Sequence, residues 1–196
     1  MRLSHLMLAG LVLVPGTAFA QTTTDTRNFT VIGNVPGSCA ITSPDLAPGQ
    51  QVNFRGLNGN TLQIDQLVDP FTLSTNAASV EVAFDAVCSF PHRLIVETQN
   101  NGLFQAAERT ILPPTGFGFG IPYTASVRWA DENLVVLADA RSRRIVESSV
   151  FVNGVSAGEL LVRLDIGPGA TNLRNNSPLL AGVYGDTLRI TLEPRS

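Results

Sequence analysis

Alternation of apolar and polar residues with a period of two constrains this chain more than any other feature of its sequence. The clearest example is the segment 79–88, whose apolar face consists of Val80, Val82, Phe84, Ala86 and Cys88. Successive side chains of a β-strand point to opposite faces of a sheet, so this pattern predicts a strand with one buried face. No segment of ten or more residues keeps the 3.6-residue period of an amphipathic helix.

The same alternation recurs along the chain, and turn-forming residues separate its occurrences. It is found in 123–129, 160–166 and 184–192, with glycine, proline and asparagine concentrated between these segments. Short alternating strands divided by such residues are typical of an all-β sandwich. The sequence therefore predicts one β-sandwich domain, with segments such as 43–49 and 56–69 as turns and loops.

The last alternating stretch, 184–192, raises the question of what pairs with it. Leu188, Ile190 and Leu192 share its apolar face, and Pro194 cannot donate a ladder hydrogen bond because it has no N–H. A strand inside a sheet has a neighbour on each side, yet two residues follow Pro194 in the sequence. We therefore expect this strand to lack its last neighbour unless another molecule supplies one.

The first twenty residues have the features of a secretory signal peptide. A positive start at Arg2 precedes a short apolar run at 6–14, and 18–20 reads Ala-Phe-Ala, which fits a cleavage site. The run is too short to span a bilayer, and no later segment is apolar enough to do so. We expect an exported protein whose mature chain begins at Gln21 and has no transmembrane segment.

The segment 29–35 alternates in the same way and follows a polar, threonine-rich stretch. Its apolar face consists of Phe29, Val31, Gly33 and Val35. In one interpretation this is the first strand of the chain's own sandwich. In the other it adds a strand to a neighbouring copy, where main-chain hydrogen bonds give affinity and alternate side chains give specificity. Both interpretations remain open at this point.

The two cysteines, Cys39 and Cys88, both lie in the exported part of the chain. An even number of cysteines in an oxidising compartment favours a disulfide, so we predict that they are bonded to each other. A metal site would need further ligands, and the one histidine of the mature chain, His92, is expected at the surface. The sequence thus predicts a disulfide and no metal or cofactor.

Composition and motifs argue against catalysis and against nucleic-acid binding. The chain shows neither a nucleophile beside a base nor a pair of catalytic carboxylates, so we expect no enzymatic activity. The net charge is −3 and the scattered basic residues form no basic stripe, which disfavours nucleic acid as a partner.

A phenylalanine- and glycine-rich loop at 113–122 is the second surface of interest, because it carries Phe117 and Phe119. One interpretation folds this loop over the end of the sandwich. The other exposes it as a contact patch. On that basis the alternative function is a monomeric secreted β-sandwich that binds glycan or protein through Phe117 and Phe119.

Five short motifs in order resemble the spore coat protein U domain, which is shared with subunits of archaic (alternative) chaperone–usher pili. The similarity begins with Phe-Thr-Val at 29–31 and Cys-Ala-Ile-Thr at 39–42, and continues with Val-Asn-Phe-Arg-Gly at 52–56. It includes the second-cysteine strand at 88–96 and Ile-Pro-Tyr at 121–123. The most specific motif is Ala-Gly-Val-Tyr-Gly-Asp at 181–186, which supplies Ala181, Gly182, Tyr184 and Asp186.

This resemblance implies an incomplete immunoglobulin-like β-sandwich that lacks its final strand. It divides the chain into a signal peptide at 1–20, a donor-strand-like extension at 21–37 and a spore coat U-like domain at 38–196. The donor face would be Phe29, Val31, Gly33 and Val35, and the acceptor groove Leu188, Ile190 and Leu192. The implied function is that of a structural pilus or coat subunit, active in adhesion and biofilm. Its partners would be other subunits, a periplasmic chaperone and an outer-membrane usher, and its final location the cell surface.

Overall fold

The structure, a computed structural model, describes residues 27, 29–106 and 115–195, except for the side chains of residues 48–50. The predicted signal peptide at 1–20 lies outside the described residues. The chain divides into two units, Met1–Val35 and Pro36–Ser196. Within the first unit, the described residues of 29–35 belong to no strand or helix.

The second unit is built from β-strands, as the alternating pattern predicts. No described residue lies in a helix, and none forms part of a segment that could cross a bilayer as a helix. The strands are β1 (Cys39–Ile41), β2 (Asp45–Val52), β3 (Phe54–Asn58), β4 (Thr61–Ile64), β5 (Ala78–Cys88), β6 (His92–Thr98), β7 (Leu103–Gln105), β8 (Gly120–Ile121), β9 (Tyr123–Trp129), β10 (Glu132–Ala138), β11 (Val146–Val152), β12 (Ser156–Ile166), β13 (Tyr184–Gly185) and β14 (Leu188–Pro194).

Two antiparallel sheets form the sandwich. Sheet 1 has the order β1-β5-β12-β9-β10, with β2 also paired to β5, on the same side as β1. Sheet 2 has the order β11-β6-β14. The inward faces of both sheets meet in one hydrophobic core, where Leu94 and Val96 of sheet 2 are fully buried together with Val127 and Leu160 of sheet 1. The prediction of an all-β sandwich is confirmed.

Two smaller sheets complete the fold. β3 and β4 form a hairpin, and β13, β7 and β8 form a three-stranded sheet. The hairpin contradicts the predicted loop at 56–69. The prediction of a turn at 43–49 is also wrong, because β2 runs through it with a register shift between Leu46 and Gln51. A bulge tolerates the Pro48-Gly49 pair that signals a turn in sequence.

The sandwich has two ends that differ in the residues they carry. We call one the cysteine end: it contains Cys39, Cys88, His92 and the β9–β10 turn at 130–131. We call the other the arginine end: it contains the loops at 66–77, 99–102, 115–119, 139–145 and 167–187. β14 begins at the arginine end, where Leu188 lies opposite Thr98, and finishes at the cysteine end, where Pro194 lies opposite His92.

The predicted disulfide is confirmed. Cys39 and Cys88 are directly opposite each other in the β1–β5 register and are covalently bonded. The bond fixes β1 against the sheet one residue after the short connection at 36–38. The alternating face of β5 therefore places Cys88 inward, as its sequence position predicts.

His92 is fully buried, which contradicts its predicted surface position. The indole N–H of Trp129 donates to His92 Nε2 at 2.7 Å, and His92 Nδ1 lies 2.9 Å from the carbonyl oxygen of Phe90. Because an indole nitrogen can only donate, Nε2 accepts and Nδ1 carries the proton donated to Phe90. His92 therefore provides a hydrogen-bond partner for the Trp129 indole N–H and for the Phe90 carbonyl, and both of its own ring nitrogens are paired.

We expect His92→Phe to lower the free energy of unfolding by about 2–4 kcal/mol. The substitution removes the acceptor of the buried Trp129 indole N–H and the ring N–H that donates to the Phe90 carbonyl. Urea denaturation of the full chain measures the change. The control is Arg93→Gln on the exposed side of the same strand, for which we expect a loss below about 1 kcal/mol. Equal stability of His92→Phe and the unchanged protein would contradict the structural role given to His92.

Candidate functional site

β14 forms one edge of sheet 2 and pairs with a single strand. Its ladder with β6 runs from Leu188, opposite Thr98, to Pro194, opposite His92. No other strand of the described residues pairs with β14. One whole side of its backbone is therefore without a ladder, which is the arrangement that strand addition requires.

The register shows which residues direct their backbone groups to the free side. The N–H of Gln99 donates to the carbonyl of Thr187 at 2.9 Å, and the N–H of Arg195 donates to the carbonyl of Pro91 at 3.2 Å. Hydrogen-bonded and non-hydrogen-bonded pairs alternate in an antiparallel ladder, so odd-numbered residues of β14 bond to β6. The even-numbered residues present their N–H and C=O groups at the free edge: Leu188, Ile190 and Leu192.

The side chains of the same three residues point toward the core without being fully covered. Leu188, Ile190 and Leu192 pack against the core but are only half-buried, whereas Leu94 and Val96 of the neighbouring strand are fully buried. The structure thus brings together the three predicted groove residues. Each combines free backbone groups with an incompletely covered apolar side chain.

Sheet 1 provides the opposite wall of this opening, through two residues that the sequence did not predict as part of a groove. Ile41 belongs to β1, which lies beside β14, and it is half-buried against the core. Phe84 is the one inward-facing residue of β5 that is not fully buried. Alternation identified Phe84 as inward, but only the fold shows that its neighbour is missing. We call Ile41, Phe84, Leu188, Ile190 and Leu192 the open groove.

The opposite side of the sandwich is closed. β10 and β11 lie side by side there, and the Ser148 hydroxyl donates to the carbonyl of Val135 at 3.2 Å. Val136 and Ala138 on β10 are fully buried as a result. The contrast between the two sides localises the incompletely covered core to the margin between β1 and β14.

Asp186 anchors the turn that leads into β14. Its carboxylate oxygens accept hydrogen bonds from the backbone N–H groups of Asn100 and Thr187 at 2.8 and 2.7 Å. They also accept from the N–H of Gly102 at 3.1 Å and from the hydroxyl of Tyr123 at 2.9 Å. One side chain therefore joins three loops or strands at the point where β14 begins. Burial, followed by the nearby Asp186 charge, raises the pKa of Tyr123 well above its usual range.

The other three residues of the 181–186 motif hold the same turn in place. The amide nitrogen of Gln105 donates to the carbonyl of Ala181, and the Tyr184 hydroxyl donates to the carbonyl of Leu180 at 2.6 Å. A Cβ at Gly182 would lie 2.7 Å from Gln105 Cγ, so a side chain there would displace Gln105. The predicted strand at 184–192 is consequently split into β13 and β14, because Tyr184 pairs with Gln105 in a different sheet.

The predicted donor residues are exposed. Phe29, Val31 and Val35 each expose more than four-fifths of their surface, at 88%, 84% and 86%. A Cβ built on Gly33 would have no heavy atom within 4 Å. The segment is not paired as a strand among the described residues, and its role as a donor stays a prediction.

The phenylalanine- and glycine-rich loop is attached to the body where the structure describes it. The N–H groups of Phe119 and Gly120 donate to the side-chain oxygen of Asn172 at 3.0 and 3.1 Å, and Gly118 bridges to Leu179. Phe119 is half-buried with its ring centroid 6.3 Å from that of Phe104, while Phe117 is exposed. A contact surface here would therefore present Phe117 more than Phe119.

The described residues contain one cluster of potential metal ligands: Cys39, Cys88 and His92. The two sulfur atoms are bonded to each other, and both ring nitrogens of His92 are engaged with Trp129 and Phe90. None of the three residues is available to hold a metal ion in this state. The cluster is part of the packing at the cysteine end.

Comparison with known proteins adds no relative to these observations. No protein-family model matches the chain, and no curated protein matches its sequence.

Proposed function

We propose that this chain is a non-enzymatic structural subunit of a surface pilus or coat, related to the spore coat protein U domains and archaic chaperone–usher pilins. It would be exported, held by a periplasmic chaperone, and assembled at an outer-membrane usher by donor-strand exchange. The observation that carries the proposal is the open groove. Its β14 side combines free backbone groups with half-buried apolar side chains on Leu188, Ile190 and Leu192.

An added strand would satisfy both deficiencies at once. Its main chain would pair with the N–H and C=O groups at the free edge of β14, and every second side chain would cover the open groove. The segment 29–35 has the pattern that such a strand needs, because Phe29, Val31 and Val35 alternate with polar or small residues except at Ile32. Burying three such side chains stabilises the pair by about 5–9 kcal/mol before ordering costs.

The proposal predicts that fibre formation depends on the apolar face of 29–35. We expect the triple variant Phe29→Ser, Val31→Ser and Val35→Ser to remain monomeric after release from the chaperone, as should a chain lacking 21–35. Substituting the other face, Thr30→Ala with Asn34→Ala, is the matched control and should polymerise normally. Size-exclusion chromatography and electron microscopy measure the outcome.

Undiminished polymerisation of the deletion variant and the triple serine variant would contradict donor-strand exchange through this segment. It would favour the alternative of a self-contained binding module that uses the Phe117 loop. The same variants should express and export equally well, because the substituted side chains are exposed in the free chain.

A further inference from the structure

The two ends of the sandwich differ in charge as well as in shape. The arginine end carries Arg141, Arg143, Arg144 and Arg174, all exposed. Of these, Arg144 pairs with Asp139 at 3.4 Å, and Arg143 donates to the carbonyl of Gln105 and lies over the ring of Phe104. Arg141 and Arg174 form no ion pair with any described residue. Among the described residues, Arg141 and Arg174 therefore add exposed positive charge to this end.

Three described carboxylates, those of Asp69, Asp139 and Asp186, offset part of that charge at the arginine end. Asp139 accepts from Asn101 and from the N–H of Arg141, and the Asp186 carboxylate is surrounded by four donors. Asp69 accepts from the N–H groups of Phe71 and Thr72 at 2.9 and 2.8 Å. These carboxylates belong to half-buried residues that hold the loops, whereas Arg141 and Arg174 are exposed.

The cysteine end carries several acidic side chains together with one exposed arginine, Arg195. Asp131 and Glu132 lie at its β9–β10 turn, and Asp85 and Glu159 lie directly opposite each other in the β5–β12 ladder. None of these four carboxylates has an ion-pair partner within 4.0 Å among the described residues. Two like charges opposite each other in a ladder are destabilising, so a nearby cation would reduce the repulsion between them.

We propose that the arginine end of one copy docks against the cysteine end of the next copy, as a second contact beside the donated strand. This inference rests on the proposed function, because donor-strand exchange determines where the second copy lies. Charge complementarity supplies the fit, with Arg141 and Arg174 facing Asp131 and Glu132. The partner is a second copy of this chain, arranged head to tail.

The length of the connection between donor segment and sandwich supports this arrangement. Residues 36–38 alone separate Val35 from Cys39, and an extended chain from one to the other spans about 14 Å. A copy that donates 29–35 therefore keeps its cysteine end close to the point where the segment leaves the acceptor's groove. The two bodies must meet at that point.

If the donated segment runs antiparallel to β14, it leaves the acceptor's groove at the arginine end. Val35 then lies near Leu188, where β14 begins, and the donor's cysteine end faces the acceptor's arginine end. Parallel insertion would bring two cysteine ends together, and each cysteine end would then have to meet two others in a fibre. Only the head-to-tail contact repeats without limit, as an open heterologous assembly requires.

An exposed aromatic at the arginine end adds apolar area to the contact. Phe71 exposes 93% of its surface, at the tip of a turn fixed by the Asp69 carboxylate. The cysteine end has a shallow depression of about 560 Å³, lined by Gly37, Phe90, Pro91, Asn153, Pro194 and Arg195. A protruding ring at one end and a partly apolar depression at the other suit a contact between successive copies.

Charge exchange tests the contact separately from strand donation. In the full chain, the arginine-end variant is Arg141→Glu with Arg174→Glu, and the cysteine-end variant is Asp131→Arg with Glu132→Arg. Polymerisation rates are measured by light scattering at low and high salt. Binding of a fluorescent peptide with the sequence of 27–38 to each chain, measured by anisotropy, reports on the groove alone.

We expect each double variant to polymerise about tenfold more slowly at low salt, with the difference largely lost at about 1 M salt, where charges are screened within about 3 Å. Combining all four changes in one chain should restore the rate, because the charges are exchanged rather than removed. Peptide binding should be the same in every variant. Equal polymerisation rates with intact peptide binding would overturn the end-to-end contact, whereas absence of peptide binding in the unchanged chain would overturn the proposed function itself.

Discussion

Replacing Ile190 with proline is expected to suppress fibre formation while the ladder between β6 and β14 stays in place. The N–H of Ile190 points to the free edge of β14, so a proline there removes no hydrogen bond of the isolated chain. It does remove a donor that an incoming strand would use. The incoming carbonyl would be left without a partner inside the closed groove, which costs about 1–3 kcal/mol.

The neighbouring position provides the matched control. The N–H of Thr191 points toward β6, where Thr191 lies opposite Ile95, so Thr191→Pro breaks the existing ladder. We expect Thr191→Pro to lower the free energy of unfolding of the isolated chain by about 3 kcal/mol. Ile190→Pro should change that quantity by less, mainly through the smaller apolar side chain.

Peptide binding measures the effect of Ile190→Pro on strand addition. Urea denaturation measures the effect of Thr191→Pro on the free energy of unfolding. Affinity of the Ile190→Pro chain for the 27–38 peptide should fall about 10- to 100-fold, which corresponds to the orphaned carbonyl. Ile190→Val, which keeps the N–H and most of the side chain, should bind nearly as well as the unchanged chain. If Ile190→Pro bound the peptide normally, the free edge of β14 would not be where the strand is added.

The strands that the sequence predicted well are those whose inward faces are mostly buried. β5, β9 and β12 were found by alternation, because a buried face requires an apolar residue at every second position. β2 was missed because the proline and glycine inside its bulge are the same residues that mark turns. Local pattern does not distinguish a bulge within a strand from the end of that strand.

The features that the sequence missed depend on partners far along the chain. His92 is buried because Trp129, 37 residues later, donates to it. The interruption between β13 and β14 depends on Asp186, which bonds to backbone groups more than 80 residues earlier. Leu188, Ile190 and Leu192 share one face of β14, as alternation predicts, while their role as an acceptor groove stays a prediction. Alternation also puts Phe84 on the inward face of β5, but the exposure of Phe84 and the position of Ile41 follow only from the packing of sheet 1 against sheet 2.

Removing the Asp186 carboxylate is expected to have the largest effect on stability of any single substitution considered for this chain. Asp186→Ala leaves three backbone N–H groups and the Tyr123 hydroxyl without their acceptor. Hydrogen bonds to a charged group contribute more than neutral ones, and we expect a loss of about 3–5 kcal/mol in the free energy of unfolding. Urea denaturation of the full chain measures it.

Two further variants show how much of this loss of stability comes from one hydrogen bond and how much comes from removing any carboxylate. Tyr123→Phe removes one of the four bonds and should cost about 1–2 kcal/mol. Asp65→Ala removes an exposed carboxylate whose ion pair with Arg55 has both side chains more than half exposed, at 56% and 64%. Its loss should stay below about 1 kcal/mol. An Asp186→Ala chain no less stable than Asp65→Ala would contradict the anchoring role.

The Asp186 variants also distinguish a residue that binds a partner from one that positions the binding strand. Among the described residues, Asp186 bonds to the loop at 99–102, to β9 and to the residue before β14, all within its own sandwich. Its loss should therefore weaken peptide binding indirectly, by loosening the start of β14 near Leu188. Adding saturating peptide should recover part of the lost stability of Asp186→Ala, because a paired second edge holds β14 from its other side. Ile190→Pro should show no such recovery, since its defect lies in the edge that the peptide would use.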